Sequence, residues 1–437
     1  MTEIAAPMTA THSFHTSVEA EKRLRARYAA EQRFKIYGIL AIAVACLMLV
    51  VLLFTITREG MTAFWQTAIR LEVTIDPAKI DPKGTRNPAD FDRAAFQDVI
   101  HEALYTRFPQ AEGRIARKEL RGLISPVAGV FLAKEVGDDA AMLGRTIQVW
   151  IPASDAINQI EKGRIDRNEE EANRPINDRQ LAWFDQLKKD GDSGPIFNST
   201  FFTSSDSNYP ELAGLFGAVV GSVLTLIVTL SLALPIGIAT AVYLEEFAPK
   251  NRLTDLIEVN INNLAAVPSI VFGLLGLAVF LQFFGLPRSS PLVGGMVIAL
   301  MSLPTIIISA RAALKAVPPS IREAALGMGA SRLQTVAHHV LPLAMPGILT
   351  GTIIAMAHAL GETAPLLMVG MNAFVTSAPS GFLDSASVLP VQVYIWADAP
   401  ERGFVELTSA AIMVLLVFLV AMNGTAIWLR KKFERRW

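Results

Sequence analysis

Hydrophobic positions along this chain fall into six long runs, each of which could cross a membrane as a helix. A helix needs about 20 mainly apolar residues to span the hydrocarbon core of a bilayer. The runs cover residues 36–56, 212–243, 265–284, 292–310, 348–371 and 406–429. We therefore predict an all-α polytopic membrane protein with six transmembrane helices, since six such runs argue against the buried helices of a soluble protein.

A secretory signal peptide is the alternative interpretation of the first run. Its apolar stretch is longer than a signal peptide needs, and no small-residue cleavage site follows Thr57. We therefore interpret the run as a membrane anchor. In the second run, Pro235 predicts a kink, because a proline inside a helix removes one backbone hydrogen bond.

A polar insert separates the first run from the second. Residues 58–211 carry 20 Lys and Arg and 25 Asp and Glu, a net charge of −5. Residues 69–75 and 147–151 alternate between apolar and polar positions, which predicts two half-buried strands. Because about 150 residues can bury a core of their own, we predict a small α+β domain over residues 57–211.

Helices are also expected in the insert, together with one solvated loop at residues 169–174. The predicted helices open at Asn87-Pro88, cover residues 113–135, follow an N-cap at Ser154, and carry the apolar stripe Leu181, Phe184 and Leu187.

Whole-chain composition excludes several classes of protein. Hydrophobic residues make up 52% of the chain, charged residues make up 18%, and the mean hydropathy is +0.39, which excludes a disordered chain. A net charge of −1 offers no field that would attract nucleic acid. Cys46 is the single cysteine, so an intrachain disulfide and a cysteine-rich metal site are excluded. The insert carries no recognisable catalytic residue set; its acidic groups indicate a solvated surface or, alternatively, a docking surface.

Lys and Arg residues in the short loops predict the orientation. One side of the membrane would carry 17 of them, in the tail 1–35, near residue 250, in the loop 311–346 and at the C-terminus. The short loops on the other side carry Arg288 and Arg402. We therefore expect both termini and the loop 311–346 in the cytoplasm, and the insert on the outer face.

The loop 311–346 contains a segment with helix signals. Ser320 and Glu323 have the spacing of a capping box, which predicts a helix that starts at Ile321. From these residues alone, a simple connection and a docking element are equally open.

Two glycines and a serine continue this pattern. Gly327 and Gly329 predict the end of the helix, because glycine adopts the left-handed conformation without a steric penalty. Ser331 predicts the cap of a second short helix, which should end before Pro342.

The fifth run contains two ionisable residues on one helix face, His358 and Glu362. A charged side chain at a helix centre costs about 2.5–3.5 kcal/mol on insertion scales, so Glu362 should not face lipid. Gly361 and Pro365 should loosen the helix beside them and expose backbone groups to a cavity. The two side chains are either a buried structural pair or part of a translocation path.

The loop segment resembles the EAA motif of the permeases of binding-protein-dependent ABC importers, although His339 replaces its customary aliphatic residue. The resemblance implies that these residues couple to a separate ATPase, which would bind ATP and Mg²⁺, while this chain binds no cofactor and is not an enzyme. No phosphate-binding G-x-x-x-x-G-K-[ST] loop occurs in the sequence. The implied coupling residues are Glu323, Ala324, Ala325, Gly329, Leu341 and Pro342.

Residues 361–367, 267–273 and 346–351 resemble PstA-type permeases of phosphate ABC importers, in the longer variant with an outer insert. The resemblance implies a type I importer permease fold in a bacterial inner membrane. Its partners would be a second similar permease, two ATPase subunits and a periplasmic phosphate-binding protein. The residues expected along the path are His358, Gly361, Glu362 and Thr363.

Two departures from that family affect the substrate more than the fold. His358 stands where the family commonly has arginine, and residues 308–311 replace a common Arg-Thr-Thr-Glu run. A permease for another oxyanion, molybdate or sulfate, is therefore the nearest alternative. More distant alternatives are a proton-coupled secondary transporter that uses Glu362 and a membrane-anchored sensor.

Overall fold

The structure is a computed structural model that describes residues 18–433. The first 17 residues of the predicted N-terminal tail, and Arg435 and Arg436 of the basic C-terminus, lie outside the described residues. Contacts divide the chain after Arg58, and the two units are described separately. The first unit consists of helix α1, Val18–Gly60, which contains the first apolar run and extends just past the division.

The insert is built on a three-stranded antiparallel sheet with β1 in the centre. Both predicted strands are confirmed, and their register pairs Arg70 with Trp150. The third strand was not predicted, because Gly194 and Pro195 interrupt its apolar pattern. The strands are β1 (Trp65–Thr74), β2 (Thr146–Pro152) and β3 (Ser193–Phe197).

Helices cover the sheet and complete the insert. The longer ones are α2 (Arg93–Arg107), α3 (Gly113–Arg121), α4 (Ala128–Asp138), α5 (Asp155–Glu161) and α6 (Asp178–Lys189). Short helical turns lie at Met61–Phe64, Pro77–Ile80, Pro88–Asp90, Ala140–Met142, Glu171–Asn173 and Thr200–Thr203.

Two helix predictions for the insert were wrong. Asn87-Pro88 opens a single 3₁₀ turn, whereas α2 starts at Arg93 because the Asp92 carboxylate accepts a hydrogen bond from the Ala94 N–H at 3.0 Å. Residues 113–135 form parts of two helices, since Pro126 has no N–H to continue a helix.

One apolar core holds the insert together. Ile69, Leu71 and Val73 of β1 face it, and the predicted stripe Leu181, Phe184 and Leu187 of α6 lies in it. The insert therefore folds around its own core, as its length allows. Ser154 occupies the predicted N-cap of α5, but its hydroxyl makes no hydrogen bond to the described residues.

The remaining apolar runs form the membrane helices. In residues 18–433, five helical stretches are long and apolar enough to cross a membrane, or six if one bent pair is a single span. The elements are α7 (Phe216–Val242), α8 (Arg252–Leu264), α9 (Ser269–Leu275), α10 (Pro291–Lys315), α11 (Pro319–Gly327), α12 (Arg332–Thr335), α13 (Leu341–Gly361), α14 (Ala364–Met368), α15 (Leu389–Ala397) and α16 (Gly403–Phe433). Wider π-helical turns extend three of them, at Tyr243–Phe247, Gly276–Phe283 and Val336–Val340.

The third predicted span differs from a straight helix over residues 265–284. Pro268 interrupts it, and α8 meets the helix from Ser269 to Phe283 at 105°. Proline restricts the residue before it to extended conformations, which ends α8. The side chains of α8 are all exposed or half-buried.

Small residues allow the membrane helices to pack closely. A Cβ on Gly295 of α10 would lie 2.5 Å from the Val228 Cβ of α7, and the Thr229 hydroxyl donates to the Gly295 carbonyl at 3.2 Å. In the same way, Gly347 of α13 lies against Ala313 of α10 and Gly351 lies against Ser309. These contacts show that α10 and α13 run antiparallel.

Candidate functional sites: the loop, the broken helix and the base of the insert

The helix predicted in the loop exists as α11, but its start was predicted wrongly. Pro318 is the N-cap and Pro319 the first helical residue, and neither Ser320 nor Glu323 forms a capping bond. Proline suits the first helical position, where its fixed φ fits the helix and its missing N–H costs no hydrogen bond. The prolines therefore replace the predicted capping box.

The end of α11 agrees with its prediction. Gly329 has φ +87°, and its N–H donates to the Leu326 carbonyl at 2.9 Å. The Ala330 N–H donates to the Ala325 carbonyl at 3.1 Å, which completes a Schellman motif. A side chain at position 329 would be strained whatever the space around it.

The predicted break before Pro342 was wrong. α12 passes through the π turn Val336–Val340 directly into α13, so the chain is helical from Arg332 to Gly361. Pro342 cannot donate to a preceding carbonyl, and the wider turn changes the hydrogen-bond pattern just before it. The second short helix of the loop is therefore the beginning of the fifth span.

The structure places five of the six predicted coupling residues on two adjoining helices and the sixth, Gly329, in the turn that ends the first helix. Glu323 and Ala324 are exposed on α11, whereas Ala325 is buried. Leu341 and Pro342 are half-buried at the start of α13. A cavity of about 640 Å³ lies between the two helices, lined in part by Ile321, His338, His339 and Pro342.

Arg322 anchors α11 to the end of α7, a contact that the sequence did not reveal. Its guanidinium donates to Glu246 at 2.7 Å and to the carbonyls of Val317 and Leu314 at 2.7 and 2.9 Å. The side chains of Arg322 and Glu246 are 22% and 12% exposed. A guanidinium held by a carboxylate and two carbonyls fixes the orientation of α11.

A second cluster lies at the same end of the helices. Arg311 of α10 donates to Glu258 of α8 at 2.6 Å, and Glu245 lies 3.6 Å from both Arg311 and Lys315. The sequence contains one signal for this cluster. Glu245 and Glu246 directly follow an apolar run, and a carboxylate at the end of a membrane helix needs a partner for its charge.

The fifth predicted span is broken where its sequence indicated. α13 ends at Gly361, Glu362 is extended with ψ 123°, and α14 begins at Ala364. Ala359 belongs to the same buried cluster as Val297 in the first half of α10. The break therefore lies within the depth of the helix bundle, and Glu362 is at a helix end rather than at a helix centre.

His358 and Glu362 contact each other directly. The His358 Nε2 lies 3.1 Å from the Glu362 Oε1, and their side chains are 68% and 18% exposed. Apart from its chain neighbours and the backbone of its own helix, no described atom lies within 4 Å of a Cβ built on Gly361, and Thr363 is half-buried. The four predicted path residues thus form one patch in which the carboxylate already has a partner.

Gly273 and Pro365 join two of the segments that carry the family resemblance. A Cβ on Gly273 would lie 2.7 Å from the Pro365 Cα and 2.8 Å from the Met368 Cβ. Real Cβ atoms do not approach this closely, so α14 can pack on α9 only with glycine at position 273.

The contact between the insert and the start of the last helix, here called the base of the insert, is a third site that was not predicted. Glu406, in the first turn of α16, accepts from Lys162 at 2.7 Å, from the Thr62 hydroxyl at 2.9 Å and from Gln159 at 3.3 Å. Asp155 of α5 also accepts from the Gly403 N–H at 3.1 Å. The insert is therefore fixed to the last helix by buried polar contacts.

Burial changes the ionisation of the groups at this base. Burial raises the pKa of Glu211 to about 7, and one of its oxygens has no hydrogen-bond partner among the described residues. Burial also raises the pKa of Asp155 and lowers the pKa of Lys162, although Glu406 opposes the shift of the lysine.

Two family models match the chain. The model described as "Binding-protein-dependent transport system inner membrane component" matches residues 233–437, and the model described as "Domain of unknown function (DUF3333)" matches residues 21–171. The first covers most of the membrane helices after the insert, and the second covers α1 and most of the insert.

Several curated proteins are similar to the chain. The phosphate transport system permease protein PstA 1 of Mycobacterium tuberculosis is 31% identical over 225 residues, which are 51% of this chain and 72% of that protein. PstA of Mycobacterium leprae is 32% identical over 49% of this chain and 70% of that protein. The probable ABC transporter permease protein YqgI of Bacillus subtilis is 29% identical over 52% and 82%.

A solved structure of the MetNI methionine ABC transporter, in an inward-facing conformation, is also similar, with 18% identity and a TM-score of 0.42. The match covers 51% of this chain and 98% of that one. The predicted fold class, a polytopic type I importer permease with an inserted α+β domain, is confirmed. The match covers more than two thirds of the length of each mycobacterial relative, at 31–32% identity. The chain therefore belongs to the inner membrane components of binding-protein-dependent transport systems, as a PstA-type permease of an ABC importer.

Proposed function

We propose that this permease moves inorganic phosphate across the bacterial inner membrane. The observation that carries the proposal is the 31–32% identity to relatives named phosphate permeases, over 70–72% of their length. His358 in place of the family's common arginine favours a second candidate, a permease for another oxyanion such as sulfate or molybdate.

The complex would contain a second similar permease, two ATPase subunits and a periplasmic phosphate-binding protein. ATP and Mg²⁺ would bind to the ATPase subunits, and this chain would hold no cofactor. The binding protein would select the anion, and the two permeases would line one path between them.

The loop would couple ATP binding to movement of the membrane helices. Glu323 and Ala324 are exposed on α11 and are available to an ATPase surface. Arg322 ties α11 to the end of α7, and α12 continues into α13 without a break. A pull on the loop would therefore reach two membrane helices, one of which ends at Gly361 beside the proposed path.

The proposed path includes His358, Gly361, Glu362 and Thr363. The broken helix supports this role, because unwound backbone inside a membrane protein is tolerated where it is buried in protein or lines a cavity. An imidazolium at position 358 would attract a passing anion and would be balanced by Glu362 at 3.1 Å.

Opposite ends of the helices would face opposite compartments. The insert contacts the chain next to the start of α7, since the Phe216 N–H donates to the Ser204 carbonyl at 3.0 Å, whereas Arg322 contacts the far end of α7. The basic residues favour the loop, and both termini, in the cytoplasm. A C-terminal reporter that is active only outside the cytoplasm should give no signal; a strong signal would reverse the orientation.

Uptake of radiolabelled phosphate by the reconstituted complex tests the proposed function. We expect ATP-dependent uptake that excess sulfate and molybdate compete with only weakly. Strong inhibition by one of these anions would transfer the assignment to it. Uptake that continues without ATP and collapses with an uncoupler would show a proton-coupled transporter instead.

A further inference from the structure

Four aromatic side chains form a continuous patch on the insert, here called the aromatic patch: Phe64, Trp65, Phe197 and Phe202. Trp65 and Phe197 are opposite each other on β1 and β3, with ring centroids 5.7 Å apart. Phe202 stacks on Phe197 at 6.0 Å and on Phe64 at 5.6 Å. Trp65, Phe197 and Phe202 are 51%, 53% and 45% exposed, which is unusual for rings of this size in an aqueous domain.

The patch is level with the beginnings of two membrane helices. Phe201, which contacts both Phe64 and Phe202, packs in one cluster with Leu407 and Ala410 from the first two turns of α16. The Phe201 carbonyl also accepts from the Leu215 N–H at 2.8 Å, directly before α7. Exposed Val405 and Phe216 continue the apolar surface onto these two helices.

We infer that the aromatic patch lies in the headgroup region of the lipid bilayer and holds the insert against the membrane surface. Trp is favoured at this depth, because its ring is buried in acyl chains while its N–H remains hydrated. The three neighbouring Phe rings add apolar area that lipid would cover. The lipid is the occupant that the structure favours, since the patch is continuous with exposed apolar side chains of helices that cross the membrane. The patch would add a second attachment of the insert, separate from the ion pair of Glu406.

The insert provides a matched control residue. Trp150 is 42% exposed, close to the value for Trp65, but it pairs with Arg70, which lies five residues further along β1. At about 3.3 Å per residue, these five residues correspond to roughly 17 Å of strand. The Trp150 ring also contacts the Arg70 guanidinium, as expected for a hydrated position.

The experiment compares fluorescence of the full chain, in its assembled transporter, with that of Trp65→Phe and Trp150→Phe. The nanodiscs contain phosphatidylcholine and phosphatidylglycerol, with or without brominated phosphatidylcholine. Subtracting each variant from the wild type gives the signal of one tryptophan. We expect brominated lipid to remove most of the Trp65 signal and aqueous iodide to leave it, with the opposite result for Trp150.

Two results would overturn the inference. Iodide quenching of Trp65 as strong as that of Trp150 would place the patch in water. Quenching by neither reagent would show that a protein surface covers it. Both variants retain an aromatic ring, and unchanged thermal unfolding would confirm that the insert remains folded.

Discussion

The Lys162 ammonium lies 2.7 Å from the Glu406 carboxylate, an ion pair that joins the insert to the first turn of the last helix. The two side chains are 14% and 5% exposed, so the pair is shielded from water. Hydrogen bonds from Thr62 and Gln159 satisfy the remaining positions on the carboxylate. A buried ion pair with these additional hydrogen bonds ties the insert to α16 in one orientation.

Replacing Lys162 with methionine should destabilise this attachment strongly. The change removes the nearer of the two cations at the buried Glu406 carboxylate, since the Arg164 guanidinium remains 3.8 Å from it. Breaking a buried pair from one side costs about 3–5 kcal/mol, and the remaining arginine should keep the loss near the lower end of this range. We expect a clear fall in the thermal unfolding temperature of the purified protein. The double variant Lys162→Met with Glu406→Gln should recover part of this loss, because the buried carboxylate charge is removed together with its ammonium partner.

The exposed pair of Lys79 and Glu102 is the control for this change. Its ammonium and carboxylate are also 2.7 Å apart, but the side chains are 42% and 57% exposed. Lys79→Met should therefore destabilise the protein much less than Lys162→Met, because exposed ion pairs contribute little to stability. Equal losses for the Lys79 and Lys162 variants would contradict a special role of the buried pair.

Glu211 should make the stability of the insert depend on pH. Its pKa is about 7 in the folded protein against 4.5 for an ordinary glutamate, so the folded state binds more protons between these values. Stability should therefore fall as pH rises from about 5 to 7, by an amount on the order of 3 kcal/mol. The raised pKa of Asp155 acts in the same direction.

Glu211→Gln should remove most of this dependence. The variant should unfold at a higher temperature than the wild type above pH 7 and at a similar temperature near pH 5. The exposed Glu112 supplies the control, and Glu112→Gln should leave the pH profile of the wild type unchanged. A Glu211→Gln profile that is parallel to the wild-type profile would exclude Glu211 as the source.

Features that depend on residues close together in the chain could be predicted from the sequence. Apolar runs gave the membrane helices, and Gly329 gave the end of α11, because both are properties of short segments. The predictions at Ser320 and Pro342 also used short segments, but each was wrong because a second local arrangement was possible. At the start of α11 a proline occupies the first helical position, and before Pro342 a π turn continues the helix.

Contacts between distant residues could not be predicted in this way. Arg322 and Glu246 are 76 positions apart, and Lys162 and Glu406 are 244 positions apart. A charged residue next to an apolar run can indicate that a partner is needed, but it does not show which residue that partner is. Only the packing of the membrane helices determines which charges lose water and therefore need partners.

Gly273→Ala should disturb the packing of α14 on α9. The new methyl group would meet the Pro365 backbone at 2.7 Å, and backbone cannot rotate away as a side chain can. Inserting a methyl group into such a contact typically costs 1–3 kcal/mol. We expect lower thermal stability and less uptake per transporter.

Gly424 in α16 is the control, because no described atom outside its own helix turn lies within 4 Å of a Cβ built there. Gly424→Ala should be neutral or slightly stabilising, since alanine favours a helix more than glycine does. Wild-type stability in the Gly273 variant would show that the two segments are not held in this contact.

Arg322→Met should weaken coupling between the ATPase and the membrane helices. It removes a guanidinium that binds Glu246 and two carbonyls, and hydrogen bonds to charged groups contribute about 1.5–3 kcal/mol each. We expect ATPase association to weaken about tenfold or more, since 1.4 kcal/mol corresponds to a factor of ten. Co-purification of the ATPase and uptake are the measurements.

Arg332 provides a control in the same loop, because it is exposed at the start of α12. Arg332→Met should leave association close to that of the wild type, whereas Glu323→Lys, on the exposed face of α11, should reduce it without affecting membrane insertion. If Arg322→Met binds the ATPase normally, the contact with Glu246 has no role in orienting α11.

His358→Gln should lower phosphate uptake if a basic side chain at this position acts on the transported anion. The His358 Nε2 lies 3.1 Å from the Glu362 Oε1, and glutamine keeps a hydrogen-bond donor there but removes the basic ring. Arginine carries a fixed positive charge, so His358→Arg should retain the uptake that His358→Gln loses.

The exposed His338 in the loop is the control, and His338→Gln should keep the uptake of the wild type. Uptake is expressed per assembled transporter, so that a loss of stability is not mistaken for a loss of transport. If His358→Gln lowers thermal stability but leaves uptake unchanged, His358 and Glu362 are a structural pair. If it lowers uptake at unchanged stability and His358→Arg does not, a basic group at position 358 acts on the transported anion.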